Sequence, residues 1–150
     1  GDLLKDQIDA LGDANRPYAR QATVMALSAW VAQSMANTDL LIKGMIAKGW
    51  RDDDSELIAR LLRGYSSFEA DNPKAVDDLV EYLDHPQLAV REVALGNLLA
   101  FFDPDAIQVP DLRLDVARRR EPGSEKAYEK FLTAWKARAA EIKQKMGEKK

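Results

Sequence analysis

Three stretches of the chain place an aspartate seven residues ahead of an arginine. They are DANRPYAR at 13–20, DDSELIAR at 53–60 and DHPQLAVR at 84–91. A carboxylate and a guanidinium held close together could transfer protons or bind a phosphate group. A catalytic site needs a single constellation of groups, however, whereas this spacing occurs three times. The repetition therefore favours a structural role over chemistry.

Each of the three stretches leads into an apolar segment of helical periodicity, so the aspartate and the arginine flank the start of a helix. An aspartate there can accept hydrogen bonds from the free N–H groups of the first helical turn. An arginine near the helix start can bind carbonyls of the turn or the aspartate of a neighbouring copy. Capping and stacking are therefore predicted for all three pairs. These are Asp13 with Arg20, Asp53 with Arg60 and Asp84 with Arg91.

Other groups capable of chemistry are scarce. The absence of cysteine excludes disulfides, thiolate zinc sites and cysteine nucleophiles. The single histidine, His85, lies in a predicted turn without a second imidazole to share a metal ion. The triplet Asp52, Asp53 and Asp54 lacks the spacing of a calcium loop and is predicted to open a helix. We therefore predict no catalytic residue, no metal site and no cofactor, and expect that the chain is not an enzyme. An enzyme on this scaffold would need two carboxylates with well-separated pKa values in a deep pocket.

Two features could contact a partner. Trp50 lies at the end of a predicted helix, between basic residues, where an exposed aromatic ring could anchor an interface. Arg118, Arg119 and Arg120 follow one another before a Glu-Pro-Gly turn. They could grip a phosphate or an acidic surface, or they could pack on the acidic part of the same chain. The second alternative is slightly favoured because of the negative charge nearby.

Charge is distributed unevenly along the 150 residues. Residues 109–150 hold 12 Lys and Arg against 7 Asp and Glu, a balance of +5, which leaves −8 for residues 1–108 in a total of −3. The basic segment keeps open an alternative function, the binding of nucleic acid or another anionic surface. The acidic remainder and the isoelectric point of about 5.3 oppose it. We therefore favour a protein partner over nucleic acid.

The apolar residues recur at helical spacing nearly everywhere, and no strand-like alternation is present, so an all-α fold is predicted. Residues 1–102 consist of short helices joined by turns. Residues 103–123 hold three of the six prolines and are predicted to form an extended connection. Residues 124–150 are predicted to form an amphipathic helix that packs on the same domain, with a frayed lysine-rich end. Asn97, in an otherwise apolar helix, is predicted to bind backbone of a neighbouring loop.

Two helices carry clear apolar stripes. The first stripe belongs to the helix that begins near Pro17, and it comprises Tyr18, Ala22, Met25, Ala26, Ala29 and Trp30. Trp30 is predicted to lie in the core. The stripe of the last helix comprises Tyr128, Leu132, Trp135, Ala139, Ile142 and Met146. The last stripe is too short for an autonomous coiled coil, so we expect a monomer in which this helix docks as a cap.

The segment LVEYLDHPQLAVREVALGNLLAFF at 79–102 is similar nearly throughout to the pattern LLxDxxxxxVRxxAxxxL of HEAT-like repeats. The two earlier copies match in the aspartate, the arginine and the small or apolar positions, at spacings of 40 and 31 residues. AYEKFLTAWKARA resembles the closing helix of HEAT-type modules of some bacterial multidomain proteins. The resemblance implies a right-handed α-solenoid of about three helical pairs with a C-terminal capping helix. It also implies a scaffolding role through protein–protein contact.

The first residue is a glycine, from which we expect a domain excised from a longer protein. No apolar run approaches the roughly 20 residues that cross a bilayer, and residues 1–30 lack the pattern of a signal peptide. The compartment is left open, with the cytoplasm slightly favoured.

Overall fold

Residues 2–148, except for the side chain of Asp2, are described by a computed structural model, and this range contains helices and no strand. The all-α fold is therefore confirmed. The α-helices are α1 Asp2–Leu11, α2 Pro17–Val31, α3 Met35–Ala47, α4 Asp52–Leu62, α5 Ser67–Ala70, α6 Pro73–Tyr82, α7 Leu88–Asn97 and α8 Glu125–Glu148. Leu98–Phe102 continues α7 as a π-helical turn.

Local chemistry explains where several helices begin. Proline is the first residue of α2 and of α6, a position at which its missing N–H breaks no helical hydrogen bond. The Ser34 hydroxyl accepts a hydrogen bond from the Asn37 N–H at 3.2 Å and caps α3. Asp52, Asp53 and Asp54 form the first turn of α4, where negative charge is favourable against the helix dipole.

The helices pack as three consecutive pairs, α1 with α2, α3 with α4 and α6 with α7. The second helices of the pairs also contact one another, because α7 packs against both α2 and α4. Eight of the ten residues of α7 are consequently buried. In a straight stack of helical pairs, α4 would lie between α2 and α7 and keep them apart. Because α7 contacts α2 directly, α7 lies at the centre of the core. The right-handed superhelix stays a prediction.

The second helices begin at Pro17, Asp52 and Leu88, which are 35 and 36 residues apart. This interval is more regular than the spacings of 40 and 31 residues read from the sequence. The fourth residue of each helix is buried, and these residues are Arg20, Ser55 and Arg91. The predicted frame of the middle copy is therefore wrong. Its helix begins at Asp52, the first residue of the acidic triplet that was predicted to open it, and this start leaves Arg60 as an exposed ninth residue.

The connection at 103–123 is not extended, contrary to the prediction. It folds into three 3₁₀-helices, Pro104–Gln108, Pro110–Leu112 and Val116–Arg120. Two of them begin with a proline, whose fixed φ suits the start of a helical turn. Each turn buries one apolar side chain against the core, namely Ala106, Leu112 and Val116.

The last helix packs against α6 and the connection, as predicted for a capping helix. Its buried side chains include Tyr128, Trp135 and Ala139 of the predicted stripe, together with Phe131. The Lys143 ammonium lies 2.7 Å from the carboxylate of Asp77 on α6. The helix continues to Glu148, so the predicted fraying is not found up to that residue. The last two lysines of the predicted frayed end lie outside the described residues.

Candidate functional site

Arg20, the fourth residue of α2, is fully buried and binds three groups. Its Nη1 donates to the Asp13 carbonyl oxygen at 2.6 Å, within the turn that precedes the helix. Its Nε donates to Glu92 Oε1 on α7 at 2.7 Å. Its Nη2 donates to the carboxylate of Asp115 in the connection. One guanidinium thus joins the first helical pair, the third helical pair and the connection.

Arg91 occupies the equivalent position in α7 and also binds its own turn and the connection, here through carbonyl oxygens alone. Its Nη1 donates to the carbonyl oxygens of His85 and Pro86, at 2.8 and 3.0 Å. Its Nε donates to the carbonyl oxygen of Val116 at 2.9 Å. Burial lowers the pKa of the Arg91 guanidinium from its ordinary value. Both arginines therefore bind carbonyls of their own turns, which is one of the two contacts predicted for them.

The aspartates of the repeat do not cap the second helices as predicted in any of the three copies. Asp13 Oδ1 accepts a hydrogen bond from the Asn15 N–H at 2.9 Å, inside the turn. Asp84 binds Arg119, and α7 is capped instead by the side chain of Gln87. Asp53 is the second residue of α4 and accepts a hydrogen bond from the adjacent Asp54 N–H at 2.9 Å, while no side chain caps the start of this helix.

Asp53 and Arg60 also fail to form a unit. Hydrogen bonds from Arg51, at 3.1 and 3.2 Å, lower the pKa of the Asp53 carboxyl. Arg60 lies 3.5 Å from the hydroxyl of Tyr82 on α6, at the outer limit of a hydrogen bond. The buried fourth position of α4 belongs to Ser55, whose hydroxyl donates to the Arg51 carbonyl at 2.8 Å.

Glu92 is a buried acid that the sequence analysis missed. Burial raises the pKa of its carboxyl despite the hydrogen bond from Arg20. The sequence did contain an indication of this site, because a single glutamate inside an apolar helical segment requires a cation nearby when it is buried. The partner lies 72 residues away along the chain, so spacing could not reveal it.

Among the clefts at the surface of the described residues, two lie beside α8. The first, of about 190 Å³, lies between the π-helical turn and the second half of α8, and it is below the usual range of ligand pockets. The second is an open depression of about 310 Å³ beside Asp84, Arg119 and Tyr128. Glu92 lines neither of them. Within residues 2–148 no three acidic or histidine side chains are grouped so as to hold a metal ion.

Two members of the arginine triplet are bound within the chain. Arg118 donates to the Ser124 hydroxyl, at 3.2 Å from Nε and 3.1 Å from Nη2. Arg119 Nε donates to the Asp84 carboxylate at 2.7 Å. Arg120 is exposed. Arg119, bound to Asp84, therefore packs on the acidic part of the chain, which is the slightly favoured alternative. Arg118 is instead bound within the C-terminal segment, and the triplet does not present three free cations.

Trp50 is half-buried rather than exposed, contrary to the prediction. Gly49, two residues after α3, has a φ of 90°, which only glycine adopts readily. The Trp50 N–H then donates back to the Met45 carbonyl at 3.1 Å. This helix-ending motif turns the indole toward the end of α1, where a β-carbon on Gly12 would lie 3.2 Å from the ring. Trp50 therefore packs within the fold.

The apolar stripe of α2 faces solvent. Tyr18 is 83% exposed and Met25 is 75% exposed, while Trp30 is half-buried. The opposite side of the helix is the inner one, and its buried residues are Arg20, Thr23, Leu27 and Val31. The sequence pattern misled because α2 is apolar on both sides and the true inner side includes an arginine.

We define the α2 face as the exposed residues Tyr18, Ala22, Met25, Ala26 and Ala29. Residues 17–38 include a single charged side chain, that of the buried Arg20, in a chain of which 31% of the residues are charged. An exposed apolar ridge without charge is typical of surfaces that bind other proteins. Methionine and tyrosine are well suited to such contacts, because one is flexible and the other offers a large ring.

Within residues 2–148, each helix is too short or too polar to cross a membrane. No protein-family model, no curated protein and no solved structure matches the chain.

Proposed function

We propose that this chain is a non-catalytic, HEAT-like scaffolding module of a longer bacterial protein, and that it binds a protein partner through the α2 face. The observation that carries the proposal is the exposure of Tyr18 and Met25 on a ridge without charged side chains. Exposed apolar area of this kind becomes favourable when a partner removes it from water.

The repeat organisation supports a scaffolding role. Three helical pairs whose second helices begin 35 and 36 residues apart are in keeping with a helical-repeat protein. Such proteins bind partners along the surfaces that their stacked helices present. The α2 face lies on one of these second helices.

The placement of the charged residues supports a non-catalytic role. The buried arginines Arg20 and Arg91 are occupied by backbone carbonyls and carboxylates that hold the fold together. Glu92, the buried acid with a raised pKa, lies away from both clefts. Neither these two arginines nor Glu92 is among the residues that line the two clefts.

A pair of matched alanine substitutions tests the proposal. Ala26 and Ala140 are both exposed residues within helices, the first on the α2 face and the second on α8. Ala26→Glu places a charge on the proposed surface, whereas Ala140→Glu adds the same charge elsewhere. Affinity capture from the source cell should yield partners with the wild type and with Ala140→Glu, and at least tenfold less with Ala26→Glu. Equal capture by both variants would contradict the proposal, provided that circular dichroism shows both to be folded.

Binding of an anionic surface through the basic C-terminal segment is the alternative. The excess of Lys and Arg in residues 109–150 favours it. Several of these cations are already paired, since Lys130 lies 3.6 Å from Asp111 and Lys143 lies 2.7 Å from Asp77. Binding to single-stranded RNA, duplex DNA or anionic vesicles at low salt, lost as salt rises, would support this alternative.

A further inference from the structure

Large and small side chains alternate along the α2 face. Tyr18, Ala22, Met25 and Ala29 follow one another at intervals of four, three and four residues, over about 17 Å of helix. The two large side chains stand out from the ridge, and the two alanines leave depressions between them. Alanines at such positions allow the backbone of another helix to approach closely.

This order is self-complementary when the helix is paired with a copy of itself running in the opposite direction. If residues 18 and 29 face each other across the pair, residues 22 and 25 do so as well. Tyr18 of each copy then meets the depression at Ala29 of the other, and Met25 meets the depression at Ala22. A parallel pairing would instead set Tyr18 against Tyr18. Matching of one surface to itself is what a twofold-symmetric dimer requires.

The charges of α2 favour the same antiparallel pairing. The first turn contains no acidic residue, the last turn contains no basic residue, and Arg16 before the helix provides no side-chain cap. The partial charges at the helix ends are therefore not offset by charged side chains of α2 itself, and the Trp30 carbonyl in the last turn accepts only the neutral amide of Asn37, at 2.9 Å. An antiparallel copy brings the negative end of one helix beside the positive end of the other. The face itself adds no like charges, although the whole chain has a net charge of −3.

We propose that the partner of the α2 face is a second copy of this chain, joined to the first through antiparallel packing of the two α2 helices. This inference rests on the proposed function, because it assigns a partner to the same surface. A single pair of helices covers less than the roughly 800 Å² per partner that a stable complex buries. The dimer is therefore weak and forms only with rising concentration, which differs from the monomer expected from the short apolar stripe of the last helix.

The first test is a charge exchange at Ala22, which lies beside the symmetry axis. Sedimentation equilibrium from about 10 µM to 1 mM should show dimerisation of the wild type and of the control Ala140→Glu. Ala22→Glu and Ala22→Lys should each weaken dimerisation at least tenfold, because like charges then meet across the axis. An equimolar mixture of these two variants should associate again. A wild type that stays monomeric at 1 mM, or a mixture that does not associate, overturns the inference.

The second test uses the absence of cysteine, since a single introduced thiol reports one position without background. Ala22→Cys mixed with Met25→Cys should form the mixed disulfide faster than Tyr18→Cys couples to itself. Preferential self-coupling of Tyr18→Cys would indicate parallel pairing and overturn the proposed arrangement.

Failure of this inference and failure of the proposed function give different results. A monomeric wild type whose captured partners are lost with Ala26→Glu overturns self-association but leaves the α2 face as a binding surface for another protein. A monomeric wild type whose captured partners are unaffected by Ala26→Glu overturns both. Dimerisation that Ala22→Glu does not weaken locates the interface elsewhere and also overturns the inference.

Discussion

Arg20 and Arg91 occupy the same position in two equivalent helices, and they bind two consecutive residues of the connection. Arg20 binds the Asp115 carboxylate, and Arg91 binds the Val116 carbonyl. Because each arginine also binds its own turn, the first and third helical pairs hold the connection at a single point. The arginines that repeat along the sequence therefore join the C-terminal part of the chain to the helical repeat.

Removal of the Arg20 guanidinium should destabilise the fold strongly. Arg20→Met leaves the buried Glu92 and the partly buried Asp115 without their cation, and loss of one partner of a buried pair costs about 3–5 kcal/mol. Arg60→Met, at the exposed arginine once aligned with Arg20, should change the free energy of unfolding by less than about 0.5 kcal/mol. Urea unfolding measures both variants. Equal effects of the two substitutions would contradict the assignment of Arg20 as the central contact.

Sequence reasoning succeeded where the signal was local. The helical class, the turns before Arg20 and Arg91, and the carbonyl contacts of these arginines follow from periodicity and from helix-end chemistry. Asn97 behaves similarly, since its Nδ2 donates to the Leu61 carbonyl at 2.8 Å, although this acceptor lies in the last turn of α4 and not in a loop. A single amide side chain in an apolar helix needs a backbone hydrogen-bond partner. The last turn of a neighbouring helix offers carbonyl groups that have no partner within that helix.

Sequence reasoning failed where a local pattern was compatible with two different structures. Arg60 reproduced the spacing of Arg20 by coincidence, because α4 begins at Asp52 and Arg60 is its ninth residue, whereas Arg20 is the fourth residue of α2. On α2 both sides are apolar, and only the tertiary pairing of Arg20 with Glu92 identifies the inner one. That pairing joins residues 72 apart, so it is a property of the packed fold and not of the local sequence.

Stability should fall at alkaline pH because of Tyr128. Burial raises the pKa of its phenol to about 12, and the hydroxyl donates to the Leu83 carbonyl at 2.5 Å. The folded state thus retains this proton above pH 10.0, where an unfolded chain releases it. The stabilisation of the folded state by the protonated Tyr128 is complete below about pH 10, and it is lost as the pH rises toward about 12.

The expected loss from this single group is about 3 kcal/mol in the free energy of unfolding once the pH passes about 12, and about half of it occurs below about pH 11. Urea unfolding between about pH 8 and 11 should show a shallower decline for Tyr128→Phe than for the wild type. Tyr18→Phe serves as the control, because Tyr18 is largely exposed, and its decline should match that of the wild type. A Tyr128→Phe curve parallel to the wild-type curve would contradict the assignment.

The capping helix should depend on Trp135. This side chain is fully buried, and its Nε1 donates to the Leu112 carbonyl at 3.0 Å, which joins α8 to the connection. Trp135→Ala should cost about 3–5 kcal/mol and lower the melting temperature by well over 5 °C. Trp50→Ala, at a half-buried indole, should cost clearly less. Deletion of residues 124–150 should also lower the melting temperature, and an unchanged value would contradict the capping role.

Gly64 should tolerate alanine less well than Gly49 does, although both have positive φ values, 77° and 90°. A β-carbon on Gly49 meets open space, so Gly49→Ala adds only backbone strain of about 1–2 kcal/mol. A β-carbon on Gly64 would lie 2.7 Å from the Phe101 ring, which must move away. That movement disturbs the edge-to-face contact between Phe101 and Tyr65 and adds about 0.5–1.5 kcal/mol. Thermal unfolding should therefore give a lower melting temperature for Gly64→Ala than for Gly49→Ala. In a Phe101→Ala background the two substitutions should become equal, and a persistent difference there would exclude the ring contact as its cause.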